Sequence, residues 1–257
     1  MSVFLKGRIV DFLILAVLSI STWLATYFAR KGKAREIRPI PALDAIYEGV
    51  GRAAEMGRPA FMTPGAGDVG SARVIAGLAI LDVMATQCAK LDVPLLTVFG
   101  QGALGAAEMI VAEAYRREGK PELYSPGKQV LFLSGDQYAR TAGEAGLFQR
   151  EKPALNVFVG DFYSEMLYIG EAGARVGAMQ IGGTTQQLGI PLMAITMDYV
   201  MIGEEMFAVA ASITRDPIQV GSIMAQDIGK IVLFSISIIG VIAMLVGSKI
   251  MIDLLSM

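Results

Sequence analysis

Histidine is absent from the 257 residues, and cysteine and tryptophan occur once each, as Cys88 and Trp23. Without histidine the commonest general base at neutral pH and the commonest nitrogen ligand for metals are missing. That excludes serine–histidine and cysteine–histidine catalysis and histidine-bound zinc. A single cysteine excludes a disulfide within one chain and suits a reducing compartment. Cys88 stands in an apolar helical stretch and is expected in the core. The fifteen methionines are scattered, so they argue for no thioether metal site.

Charge is missing from two long stretches. Residues 12–29 carry none between Asp11 and the pair Arg30 and Lys31, and residues 231–248 carry none between Lys230 and Lys249. At ~1.5 Å per helical residue each run nearly spans a hydrocarbon core of ~30 Å. The whole chain is 54% hydrophobic with a mean hydropathy of +0.53, too apolar for an ordinary soluble domain. Both runs are therefore expected to be transmembrane helices, over 9–29 and 230–249. A cleaved signal peptide is the competing reading of the first, since Lys6 and Arg8 precede it. Tyr27 and Phe28 stand where a cleavage site needs small residues, and a basic cluster follows at once, so an anchor is the better reading.

Arg30, Lys31, Lys33, Arg35 and Arg38 follow the first run, against Lys6 and Arg8 before it. Positive charge is retained inside, which predicts a multi-pass cell-membrane protein with its central domain cytoplasmic and both termini outside. Residues 30–41 form a basic linker that ends in an extended stalk, because Pro39 and Pro41 interrupt helix. Between Pro39 and Gly229, 13 Lys and Arg face 21 Asp and Glu, a net of −8. Such a domain repels nucleic acid and anionic lipid, so no nucleic-acid partner is expected and only the basic linker suits headgroups.

Within the central domain, 42–229, an amphipathic helix is expected over 42–56. Short apolar runs then alternate with helical stretches. The strands are expected at 59–63, 95–99, 130–133, 155–159, 178–181 and 192–197, and the helices at 71–91, 103–118 and 164–176. Strands separated by helices of this length need crossover connections, which predicts a mainly parallel, doubly wound, Rossmann-like α/β sheet covered on both faces. The helices over 71–91 and 103–114 show almost no polar face, and such helices are buried on both sides, within the chain or against another copy. Asp216 and Pro217 are a strong helix start, from which one long helix runs toward the second apolar stretch.

Gly65, Gly67 and Gly70 follow an expected strand and open an expected helix, the context in which glycines bring the backbone to a pyrophosphate. A second glycine match, through Gly100 and Gly102, follows the next strand, where a ribose-binding acid is missing. Both also serve as tight turns and close packing. Asp68, Asp136 and Asp161 each follow a glycine at a strand end. They either converge on the carboxyl edge of the sheet, where three of them suit magnesium, or each caps the helix that follows. The donor-rich turn over 182–187 lines the same cleft through Thr184, or is a solvated loop with Thr184 as a cap. No catalytic residue, metal ligand or cofactor is assigned.

The stretch from Gly203 to Ala208, then Asp216 to Ser222 and Gln226 to Lys230, resembles the tail of an uncharacterised prokaryotic membrane protein family. The resemblance implies helix, α/β domain and helix over nearly the whole chain, and implies no activity. Two readings of function stand. One is a membrane-anchored homo-oligomeric scaffold, associating through the apolar helices. The other is a nucleotide- or small-ligand-binding module, or an accessory subunit of a larger membrane complex.

Overall fold

The computed structural model describes residues 9–32, 37–65 and 67–245. It separates into two compact units: residues 38–214, and a helical unit in which α1 (Ile9–Arg30) packs on α9 (Pro217–Leu245). The sequence reading ended the α/β domain at Gly229, whereas 217–229 already belong to α9 and to the helical unit.

The first unit is a six-stranded sheet in which every described pairing is parallel, ordered β3-β2-β1-β4-β5-β6. The strands are β1 (Ala60–Gly65), β2 (Leu95–Val98), β3 (Val130–Leu131), β4 (Leu155–Asp161), β5 (Met179–Thr184) and β6 (Tyr199–Ile202). β1, β4 and β5 are buried at every residue, as strands covered on both faces must be. Helices α2 (Pro41–Met56), α3 (Ala72–Leu91), α4 (Gln101–Arg117) and α8 (Glu205–Thr214) pack together on one side. Helices α5 (Gln137–Glu151), α6 (Glu165–Arg175) and α7 (Gly189–Thr196) pack together on the other. The core between α5, α6 and the sheet holds Phe61, Phe148, Phe158 and Phe162, with Phe61 meeting Phe148 edge-on at 4.8 Å. Each such buried ring contributes about 1.5–3 kcal/mol, and an edge-to-face pair a further ~1 kcal/mol.

One expected strand is a helix. Residues 192–197 lie mostly in α7, and the sixth strand is Tyr199–Ile202, which the sequence reading missed. A short apolar run carries no periodicity that separates strand from helix, and Pro191 falls in the first turn of α7, where no hydrogen bond is lost. Helix α5 was not singled out, because its buried face carries Arg140, Thr141 and Glu144 among its apolar residues.

The apolar helix α3 finds its cover inside the chain. Half of its residues are buried, against α2, α4, α8, β1 and β4. Gly77 lets it approach the sheet so closely that a Cβ there would stand 2.5 Å from the Val159 carbonyl oxygen. Cys88 is fully buried in it, and burial pushes the thiol up to about 12, so it is an inert core residue.

In the second unit α1 and α9 meet along small residues. Ser21, Ala25 and Ala29 of α1 and Ala225 of α9 are buried, although nearly all their bulky neighbours are exposed. A Cβ on Gly221 would stand 2.6 Å from the Thr26 Cα, and one on Gly229 would stand 3.1 Å from the Leu18 Cδ2. Small residues four apart let two backbones approach, the packing that helices use where no hydrophobic effect drives them together. The same contacts make the helices antiparallel and staggered. Stepping one for one from the Thr26–Gly221 and Leu18–Gly229 contacts, residues 12–29 of α1 lie alongside 218–235 of α9. Asp227 and Lys230, paired at 3.0 Å, therefore stand level with the uncharged run of α1.

Gly221→Leu forces the helices apart, and overpacking of this kind costs about 1–3 kcal/mol. In detergent the variant is expected to lose protease resistance within α1 and α9, whereas Ile228→Leu, on an exposed position of α9, keeps it.

Candidate functional site

β1 and β4 are neighbours, yet the chain leaves them in opposite directions, from β1 through α3 to β2 and from β4 through α6 to β5. Such a reversal opens a crevice beyond the carboxyl ends of the two strands, where α/β sheets take their ligands. Here the strand ends approach each other very closely. Gly65 has φ +76°, and a Cβ on it would run into the Asp161 carbonyl oxygen; Gly160 has φ +155°, and a Cβ on it would run into the Pro64 carbonyl oxygen. The register of the two strands shifts between Thr63 and Gly65.

Beyond Gly65 the turn crosses over Asp161, with Gly67 against the Asp161 carboxylate and the Val74 side chain. Asp68 accepts from the Gly70 N–H at 2.8 Å and so closes the turn. The second glycine motif lies against the first. A Cβ on Gly100 would stand 3.2 Å from the Gly67 carbonyl oxygen, and one on Gly102 would stand 2.8 Å from the Asp68 Cβ. Gly65, Gly67, Asp68, Gly70, Gly100 and Gly102 are thus one surface, built from the starts of α3 and α4. Neither helix has a side-chain cap hydrogen bond or an acid in its first turn, and the carboxylates nearest their starts are those of Asp68 and Asp161.

Asp161 is the centre of this edge, and it caps no helix. It is the last residue of β4, 5% exposed, and α6 starts later, after Ser164. Its carboxylate accepts from Ser71 Oγ at 2.6 Å, from Gln186 Nε2 at 3.2 Å, and from Arg73 Nε in an ion pair. Arg73 Nη1 also donates to Thr185 Oγ1 at 3.2 Å, and Gln186 Nε2 donates to the Tyr163 hydroxyl at 2.8 Å. Thr184 is fully buried in β5; its hydroxyl donates to the Gly160 carbonyl oxygen at 2.9 Å and accepts from the Gln186 N–H at 3.2 Å, so it ties the strand ends to the start of the 185–187 turn. Asp136 is a helix cap, accepting from the Ala139 N–H at 2.8 Å at the start of α5. Asp68, Asp136 and Asp161 therefore each have their own backbone or side-chain partners, and among the described residues no group of three acids or thiols suits a metal.

A second polar group lies behind β1, toward α5 and α6. Arg140 and Glu144 are each 2% exposed and Glu165 is 4% exposed. Arg140 Nε stands 3.8 Å from Glu144 Oε1, and Gln137 Nε2 donates to Glu165. Arg140 Nε, Glu144 Oε1 and Glu165 Oε1 are buried without a hydrogen bond. Burial pushes the Glu144 carboxyl up to about 7, against the pull of Arg140 and of the Thr63 hydroxyl; the charge of Glu165 adds to the rise.

The sequence pattern marked the glycines and Asp161, and the donor-rich turn that supplies Thr185 and Gln186. It missed Ser71, Arg73 and Tyr163, although Ser71 and Arg73 directly follow the glycine turn and an arginine in that first helical turn was a usable signal. It missed Arg140, Glu144 and Glu165 because, in sequence, acids and bases on helices look like solvated faces.

Gly160→Ala combines a close contact with backbone and a strained φ, and is expected to destabilise the α/β unit by about 2–5 kcal/mol in denaturant titration. Arg73→Met leaves Asp161 buried with two neutral donors and is expected to cost about 2–3 kcal/mol. The double variant Arg73→Met/Asp161→Asn recovers part of that loss, the signature of a coupled pair in a double-mutant cycle.

No curated protein and no solved structure matches the chain. Residues 1–255 match the family model described as Domain of unknown function (DUF6754), and the chain belongs to that family.

Proposed function

We propose that the protein is a membrane-anchored binding protein whose Rossmann-like α/β domain, on the cytoplasmic side, takes a phosphate-bearing ligand such as a nucleotide. The seat is the crevice between the ends of β1 and β4. The single observation that carries this reading is the meeting of the two glycine turns, at 65–70 and 100–102, over the uncapped starts of α3 and α4. A helix start without a side-chain cap is a ready anion site, and glycine lets a phosphate come close. The strand order is that of dinucleotide-binding sheets, with the crevice at the reversal. Arg73 supplies a guanidinium at the same edge, shared between Asp161 and Thr185.

The anchoring part of the reading rests on α1 and α9. Phe12, Leu15, Ile20, Trp23, Ile231, Phe234, Ile238 and Leu245 are exposed on them, and only 11% of the apolar window of α9 is buried. At 29 residues α9 is roughly 43 Å long, more than a hydrocarbon core needs. Trp23 and Tyr27 stack at 5.8 Å near the end of α1 that leads into the basic cluster, the headgroup side in this reading. Trp and Tyr favour that interface, and the Lys31 ammonium lies 4.4 Å from the Tyr27 ring centre. The basic cluster after α1 keeps that side cytoplasmic.

A homo-oligomeric scaffold is the second reading, now favoured by different residues. The apolarity of α3 is met within the chain, but Leu188, Ile195, Tyr199 and Ile202 leave exposed apolar side chains on α7, the turn before it and the edge strand β6. Mass photometry of the solubilised protein separates the readings: a stable oligomer that Ile195→Asp dissolves supports the scaffold, and a monomer removes it.

Nucleotides in the millimolar range, with and without magnesium, are expected to raise the melting temperature of the full chain in detergent. A ligand at 100 times its Kd stabilises by ~2.7 kcal/mol, and Gly67→Val abolishes the shift. No shift with any mono- or dinucleotide sinks the binding reading. Trp23, the single tryptophan, is expected to be quenched by lipids brominated near the headgroup and far less by aqueous iodide. The reverse order removes the anchor.

A further inference from the structure

Helix α9 has two opposite faces, and α1 covers one of them. Gly221, Ala225 and Gly229 lie along the covered face. At ~100° per helical residue, Asp227, Lys230, Phe234, Ser237 and Val241 form a second stripe, about 160° round the helix from the first. All five are exposed. Their spacing alternates three and four, as along the seam between two packed helices.

The stagger of the two helices sets the depth of this stripe. Stepping from the Thr26–Gly221 and Leu18–Gly229 contacts, Asp227 stands level with Ile20 and Lys230 with Val17. Trp23 and Tyr27 lie nearer the basic cluster, so the acid is about one helical turn deeper than the tryptophan and the base nearly two. In the anchored chain both charges therefore stand within the hydrocarbon layer. Ionised groups are costly there, and they face other protein and pair with one another. Asp227 and Lys230 do pair, at 3.0 Å, but on the face turned away from α1, with side chains 60% and 48% exposed. Another helix has to cover them.

We propose that a second copy of this chain provides the cover, α9 packing on α9 along the stripe with each Asp227 meeting the Lys230 of the other copy. The proposal rests on the anchoring part of the reading above and is independent of the ligand seat. All copies enter the bilayer in one direction, so a two-fold axis between two of them stands along the membrane normal and sets equal residues at equal depth. An acid and a base one turn apart on one face are complementary to themselves under that axis. Two cross pairs form together, each side chain keeps its partner on its own helix, and the four charges cancel in a closed set. An apolar helix on this face would leave both charges unmet. Deeper in the membrane the stripe becomes an apolar groove lined by Phe234, Ser237, Ile238 and Val241. Ser237 donates to the Leu233 carbonyl oxygen at 2.8 Å, so it adds no unmet polar group, and its small side chain leaves room for the Phe234 ring of the other copy.

Single cysteines on α9 of the full chain, oxidised in the membranes of the expressing cells, test the seam. Cys88 is buried and inert, so it does not compete. Phe234→Cys and Val241→Cys are expected to form disulfide-linked dimers, whereas Ile239→Cys, exposed but about 160° away round the helix, stays monomeric. Added to Phe234→Cys, either Asp227→Lys or Lys230→Asp is expected to cut the dimer yield several-fold. Co-expressing these two chains with different tags restores a cross-linked heterodimer; neither chain then has an opposite pair of its own at 227 and 230, so the recovery reports pairing between copies. Asp227→Asn keeps the shape and loses only the charge, so it covers the case in which doubled charge prevents insertion, and it too lowers the yield. Equal cross-linking at 234 and 239, none at 234, a cross-link at 234 only to a different protein, inserted charge variants that do not rescue each other, or an unchanged yield in Asp227→Asn overturns the proposal. Carbonate extraction separates the two failures: a released chain removes anchor and seam together, and a retained chain that does not cross-link at 234 removes the seam alone. A dimer through α9 also survives Ile195→Asp, unlike one through α7 and β6.

Discussion

The close approach of β1 and β4 at their carboxyl ends is the constraint on which the site depends. Gly65 and Gly160 face each other's strand backbones, and at either position a side chain would meet a carbonyl oxygen. Because the strands come that near, the register shifts, the chain after Gly65 turns back over β4, and Gly67 drops onto the Asp161 carboxylate. Asp161 is then buried at the edge, and its charge has to be met there. Ser71, Arg73 and Gln186 meet it, and Ser71 is thereby diverted from capping α3. The close approach of Gly65 to Asp161 and of Gly160 to Pro64 thus ends in a helix start without a side-chain cap beside a glycine turn.

Buried charge flanks this point on both sides of the sheet. Toward α3, the Arg73–Asp161 pair is well satisfied by hydrogen bonds. Toward α5 and α6, Arg140, Glu144 and Glu165 are not, and three of their polar atoms have no partner. A core that sought stability alone would fill that volume with apolar groups, since buried ion pairs repay their desolvation only with good geometry. Unsatisfied, perturbed groups gather where a structure does something with them.

The helical unit follows a different logic. Small residues rather than large ones make the α1–α9 contact, and the large apolar side chains point away from it. In water that arrangement exposes what the hydrophobic effect would bury; against hydrocarbon the exposed side chains are already satisfied.

By itself the sequence determined the elements whose cause is local. Period-two and period-3.6 apolar patterns, glycines at strand ends and the Asp216–Pro217 start are short-range signals, and they gave a parallel α/β sheet, most of its helices and the two glycine turns. Residues 192–197 read as a strand because five apolar residues in a run of six satisfy either period. Only the tertiary structure decided that α3 is covered by α2, α4 and α8 and that Asp161 answers to Arg73. The Arg73–Asp161 pair joins residues 88 positions apart, through the order in which strands lie side by side. Strand order is set by crossover geometry and competition among all faces at once, and no local pattern in the chain encodes it.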